Sequence, residues 1–294
     1  MLRMLSCLLV LAPGARAHAA GDWQLTVSPR VGEVLVWDAT SSPVHLTSAD
    51  SSMQMPVVGV AADVRPWREL VIDGEALFGT GATLDTPQVN PTHTGVGYRR
   101  ASLGLGWRLG VTGLGPLQAV VASVGWGQER ASADRQFMPG ADHRQVTPSY
   151  TRDEPWLRAA ADGAVLDDHL ALRAAVTAVP WVHVRNDWAT DGSLRYGWGF
   201  DFAARAEWWL GALFGSWGEL GVGVSVDGGF RRVSFSGKGT RTNSQGTPVE
   251  DVRDRFSRLM VLGFVSWRLV AGGEVVPASV APTSAPEQSA HDPG

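Results

Sequence analysis

The chain has 294 residues, a net charge of −4, 35 glycines, 13 tryptophans and a single cysteine. No block of like charges occurs, which argues against a nucleic-acid partner or a polybasic membrane patch. No apolar segment approaches the ~20 residues of a membrane helix, so a membrane role requires a β-barrel.

Residues 1–20 have the form of a removable export signal. Arg3 supplies the positive end, Leu8, Leu9, Val10 and Leu11 form a short apolar run, and small-residue cleavage patterns follow at Ala15–Ala17 and Ala17–Ala19. Cys7 lies inside this segment, so the remaining chain of about 270 residues has no disulfide or thiolate metal site and must be held by packing and hydrogen bonds.

From there the dominant signal is period-two alternation, which in a strand places the two parities on opposite faces. Weak copies lie at 23–35 and 57–64. Over 69–78, Leu70, Ile72, Ala76 and Phe78 oppose Glu69, Val71, Asp73 and Glu75. Over 100–108, Ala101, Leu103, Leu105 and Trp107 oppose Ser102, Gly104, Gly106 and Arg108. Further weak copies cover 117–128 and 156–165, and at 169–178 Leu170, Leu172, Ala174 and Val176 oppose Ala171, Arg173, Ala175 and Thr177. The clearest case is 195–210, where Tyr196, Trp198, Phe200, Phe202, Trp208 and Leu210 oppose Gly197, Gly199, Asp201, Arg205 and Glu207. At 219–227 Leu220, Val222, Val224 and Val226 oppose Glu219, Gly221, Gly223 and Asp227, whereas 255–269 is apolar on both parities and its facing is open. Residues 272–294 are rich in Pro, Ala and Ser without a hydrophobic period, which predicts a disordered tail on the periplasmic side.

Ten strands result, many of them longer than globular strands and suited to a tilted membrane crossing. The links alternate in length. Long links are expected at 38–52, 81–95, 130–155 and 237–252, and short ones at 65–68, 112–116, 166–168 and 211–217; 186–194 is shorter than its place in the series requires. Short periplasmic turns alternating with longer outer loops are the habit of outer-membrane barrels. A soluble antiparallel barrel with its apolar face inward is the competing architecture, but it has no need of alternating loops or aromatic belts. The fold expected is all-β, a closed antiparallel up-and-down barrel over residues 21–271.

The small and charged parity then faces the lumen. It carries a candidate charge network of Asp73, Glu75, Arg100, Arg108, Arg158, Asp162, Arg173, Asp201, Arg205, Glu207, Asp227 and Arg231. In so narrow a barrel these groups are expected to pair across the lumen. Trp107, Tyr196, Trp198, Trp208 and Trp267 are candidate membrane-interface aromatics. Asp73 and Glu75 share a stripe and could act as acid and base, but arginine pairing is the commoner fate of such carboxylates. The seven histidines are scattered and form no metal-ligand spacing; His183 beside Arg185 is the best placed of them, at a solvated rim. Arg99, Arg130, Arg152, Arg195, Arg232 and Arg253, with Asp134, Asp153, Glu154, Asp187 and Glu250, are assigned to that same outer rim. No cofactor and no metal are expected.

Taken together these features resemble the bacterial outer-membrane β-barrel class. The final strand, with Gly263, Val265, Trp267 and Leu269, is similar to the class's assembly signal, although a tail follows it. The resemblance implies outer-membrane lipid and the barrel-assembly machinery as partners. Ten strands is also the size of the omptin proteases, which use an aspartate pair facing an Asp-x-His pair near the outer rim. The expectation is that the chain has no Asp-x-His pair, and the adjacent Asp168 and His169 fall at a predicted periplasmic turn. The His-x-Ser motif of the lipid A deacylases is missing too. The expected role is structural or surface-interacting, with an extracellular ligand met by residues 130–155; a small passive pore and a membrane-embedded hydrolase are the alternatives.

Overall fold

The computed structural model describes residues 23–42, 47–67, 69–80, 83–86, 89–93, 96–133, 150–166, 169–186, 193–211, 218–236, 238–242, 248–251 and 253–271. The expected export signal and tail lie outside them. Ten antiparallel strands follow one another round a ring: β1 (Trp23–Ser42), β2 (Thr47–Arg65), β3 (Leu70–Thr80), β4 (Val96–Gly110), β5 (Leu117–Ala133), β6 (Tyr150–Val165), β7 (Leu170–Val179), β8 (Ser193–Gly211), β9 (Glu219–Ser236) and β10 (Arg253–Ala271). β1 pairs with β2 from Gln24↔Arg65 to Ser42↔Thr47, and with β10 from Trp23↔Ala271 to Ser41↔Arg253. The ring is therefore shut, and the fold is the closed up-and-down barrel of ten strands that the alternation predicts.

One end of the barrel carries the links 66–69, 111–116, 166–169 and 212–218. Gly113 and Gly115 take left-handed backbone in one of them, with φ of 80° and 62°. The other end carries the remaining links and several short extra strands. Thr83–Thr86 pairs with Val89–His93 and adds to β2 at Ser52–Gln54. His183–Asn186 runs back along Tyr150–Asp153 of β6, and Lys238–Thr242 pairs with Pro248–Glu250.

Seen from outside, the barrel has two storeys with opposite polarity. In the storey next to the short turns, Leu103, Leu105, Val124, Leu157, Val176, Phe202, Val224 and Val265 stand on the outer wall while charged groups point in. Trp198 and Trp208 bracket this wall on β8, ten residues apart; at ~3.3 Å per residue and a tilt of ~40° they are about 25 Å apart along the barrel axis, the height of a bilayer's apolar band. Above it the pattern inverts. Glu33, Gln54, Gln128 and Arg130 are exposed, and the exterior is tied by Gln54 to Glu33 at 2.9 Å and Gln128 to Asp153 at 2.8 Å. The residues between them, Val34, Val36, Met53, Met55, Ala131 and Tyr150, are buried inside with Leu77, Tyr98, Phe256, Met260 and Leu262 as one apolar cluster.

This inversion explains two departures from the expected links. Residues 38–52 do not form a long loop: β1 and β2 stay in register to Ser42↔Thr47, and 43–46 alone connect them. Residues 130–133 belong to β5 and 150–155 to β6, so the link there is 134–149, which lies outside the described residues. Beyond the bilayer the outer wall meets water, so the apolar face moves inward while the hydrogen-bonded ladder continues unchanged.

Candidate functional site

Ten strands enclose a lumen only a little wider than one that side chains fill completely, so the interior chemistry is decided by what these side chains do with one another. At mid-height Arg258 of β10 is the hub. It ion-pairs with Glu129 of β5, and lies 3.0 Å from Asp227 of β9 and 3.5 Å from Asp201 of β8. Arg231 of β9 reaches Asp201 at 2.8 Å and Glu154 of β6 at 2.6 Å, using both arms of its guanidinium on each carboxylate. Arg152 holds Glu129 at 2.9 Å and stacks over Phe256, its guanidinium 3.6 Å from the ring centre. Arg100 joins Glu75 at 3.3 Å to Asp227 at 3.4 Å, and Arg30 of β1 pairs with Glu75 from the other side. Charges so deeply desolvated are tolerated only when paired and hydrogen-bonded. Here eight strands supply the partners of one lattice.

Below this lattice the interior opens into a cavity of about 270 Å³ facing the short turns. Its walls hold Asp73 with Arg158 at 3.2 Å, Glu207 with Arg205 at 2.9 Å, and Asp63 with Arg65 at 2.9 Å. Arg173 stands 3.4 Å from Asp162 and 3.9 Å from Asp63, and Arg108 stands 4.0 Å from Asp162. Arg268 closes the mouth by pairing with Glu219 and stacking 3.9 Å over Trp209.

Glycines on the inward parity make this crowding sterically possible. Trp156 lies flat across Gly104 and Gly125, where any side chain would run into its ring, and Arg158 stacks 4.3 Å over it. Gly199 gives the same room to Arg231, and Gly223 to Phe264. Small residues that look like a weak polar face in the sequence are slots for large neighbours.

All twelve charged residues singled out from the sequence point inward, and each meets an opposite charge. Asp73 and Glu75 are each engaged by arginines and not by one another, so no acid–base pair is assembled there. Sequence reasoning missed Arg30, Arg65, Glu129 and Arg258, and placed Arg152 and Glu154 on the outer rim, whereas both are buried at the lattice. The signal that finds them is parity: Arg152 and Glu154 alternate in step with the buried Trp156. Arg258 alternates with Phe256 and Met260, which settles the facing of β10. Trp107, Trp208 and Trp267 stand on the outer wall at the turn end, and Trp198 lies on the loop side, 5.9 Å from Phe230. Tyr196 is held in the ladder opposite Ser234, its side chain outside those described.

Among the described residues no cluster of His, Cys, Asp and Glu could hold a metal ion. His183 lies in the short strand beside β6, 6.1 Å from the ring of Trp181. Asp167 and His169 do have Asp-x-His spacing, but Asp167 lies outside the described residues, and His169 stands at the short-turn end just before β7, its imidazole stacked 6.0 Å from Trp208. That is the opposite end from the rim where omptin chemistry occurs.

Closed on itself, apolar outside and charged within at bilayer height, this is a barrel of the bacterial outer-membrane kind. No protein-family model matches the chain, and no curated protein matches its sequence. Among solved structures it is similar to the translocator domain of the autotransporter NalP from Neisseria meningitidis, at 11% identity over 89% of this chain and 95% of that one, with a TM-score of 0.38. It is also similar to the outer membrane protein OprG from Pseudomonas aeruginosa, at 10% identity over 86% and 98% with a TM-score of 0.35. A third is an outer membrane channel from Pseudomonas putida F1, at 11% identity over 86% and 99% with a TM-score of 0.33. At such identities and TM-scores these likenesses carry no argument about activity.

Proposed function

We propose that the protein is an outer-membrane scaffold barrel: the turn-end storey anchors it in lipid, and the outer storey carries loops to a partner outside the cell. In this orientation the short turns and the cavity mouth face the periplasm, and the link 134–149 is among the loops offered to that partner. Lipid covers the apolar outer wall, and β10, ending in outward Val265 and Trp267, is the segment the assembly machinery would engage. The observation that carries the scaffold reading is the filled outer storey. Val36, Met53, Ala131 and Tyr150 are buried at its loop end, and Met55, Leu77, Tyr98, Met260 and Leu262 are fully buried around the ion-pair lattice, with Met260 and Leu262 reaching the cavity below it. Among the described residues these side chains occupy the lumen, which supports a barrel that does not conduct at rest.

Single-channel recording of the purified chain in planar bilayers tests this. The wild type should show no conductance steps, and the double variant Met55→Ala, Met260→Ala should introduce them by hollowing the plug. Regular steps from the wild type would overturn the scaffold reading. They would favour a gated pore instead, the reading supported by the cavity that already occupies the turn-end half of the lumen.

A further inference from the structure

The cavity facing the short turns is not charge-balanced. Eight arginines line it (positions 30, 65, 100, 108, 158, 173, 205 and 268) against six carboxylates (63, 73, 75, 162, 207 and 227). Most of these arginines have a carboxylate within hydrogen-bonding reach, but one corner falls short. There, among the described residues, Arg65, Arg108 and Arg173, from β2, β4 and β7, share only Asp63 and Asp162. Arg65 takes Asp63 at 2.9 Å and Arg173 takes Asp162 at 3.4 Å. Among the described residues the nearest carboxylate oxygen to Arg108 is that of Asp162 at 4.0 Å, beyond hydrogen-bonding distance, and the Arg108 Nε is buried without a partner. A buried guanidinium N–H with no acceptor costs free energy that an incoming acceptor would recover. The side chains of all three arginines are about a quarter exposed, on the cavity side.

We infer that Arg65, Arg108 and Arg173 form a binding site for a small oxyanion, a phosphate or carboxylate group entering from the turn end. The guanidinium fork matches the paired oxygens of such groups. The missing third carboxylate of the corner is the place the ligand takes, with Arg108 as its principal donor and Asp162 as its internal competitor. A cavity of about 270 Å³ with charged walls admits inorganic phosphate or a short dicarboxylate and excludes a whole lipid. The site does not depend on whether the barrel conducts.

The test is titration calorimetry on the full-length protein in detergent micelles, with inorganic phosphate and succinate as separate probes. Binding of either probe to the wild type is expected. Arg108→Gln should weaken it at least about tenfold, the loss of a charge-assisted hydrogen bond. Asp162→Asn should strengthen it, because it frees both Arg108 and Arg173. Arg130→Gln, on the exposed wall of the outer storey, should change nothing. The opposite signs at 108 and 162 separate a binding site from a structural ion pair, since disrupting a structural pair weakens the molecule from either side. Absence of binding for both probes, or equal weakening by the 108 and 162 variants, overturns the site; heat-modifiable migration on gels shows that each variant is folded.

Discussion

Replacing Arg258 by methionine removes the hub of the mid-height lattice. Four arginines (100, 152, 231 and 258) there face four carboxylates (129, 154, 201 and 227), with Glu75 left to Arg30. In Arg258→Met three arginines remain for four acids. Glu129 keeps only Arg152 at 2.9 Å, Asp201 keeps only Arg231 at 2.8 Å, and Asp227 keeps only Arg100 at 3.4 Å. The site is almost dry, with Arg258 5% exposed and Glu129 3%, so solvent screening does not soften the effect. Breaking a buried pair by removing one partner costs ~3–5 kcal/mol, and that is the expected loss. The assay is equilibrium urea unfolding in lipid vesicles, followed through tryptophan fluorescence. Adding Glu129→Gln restores three charges of each sign, so the double variant should recover at least ~1 kcal/mol of the single variant's loss, as coupled neighbours do. A loss below ~1 kcal/mol for Arg258→Met, or strictly additive losses in the pair, would refute the claim that charge balance holds the interior together.

Val176 is 64% exposed on the outer wall beside Phe202, midway between the aromatic belts. Val176→Arg should therefore cost ~2–4 kcal/mol in vesicles, measured by the same unfolding assay; a neutral result would place this wall in water. Gly125→Ala would drive its methyl group into the Leu103 carbonyl oxygen and the Trp156 ring. A loss of ~1–3 kcal/mol is expected, typical of overpacking, with only partial relief from Trp156→Leu because the backbone oxygen remains.

The sequence carries the membrane storey clearly and the outer storey poorly, for one physical reason. Alternation is legible where lipid forces the outward parity to be apolar, and β8 shows it best, with Phe200 and Phe202 outward and Asp201 inward. Above the bilayer the outward parity becomes Glu33, Gln54 or Asp153, and the inward parity becomes Val34, Met55 or Tyr150. The apolar signal changes faces partway along a single strand, and the upper part looks like a loop. The same change hides Glu129, Arg152 and Glu154, whose strands extend past the point where the lipid-facing pattern stops. β10 is obscure for a related reason: its inward Phe256, Met260, Leu262 and Phe264 pack the interior while its outward Val261 and Val265 meet lipid, so both parities are apolar. The lattice itself depends on contacts far apart in the chain, such as Arg258 with Glu129, and alternation says which face a residue occupies but not which residue it meets.

The place of Arg258 on the last strand has a temporal consequence. Glu129, Asp201 and Asp227 are all synthesised before their shared cation. Until β10 docks, a partly built sheet has an open edge on β1 and an excess of negative charge on its concave side. Joining the first strand to the last cures both defects in one event. Intermediates lacking the last strand are thereby disfavoured in lipid, and closure resembles a latch that engages fully or not at all.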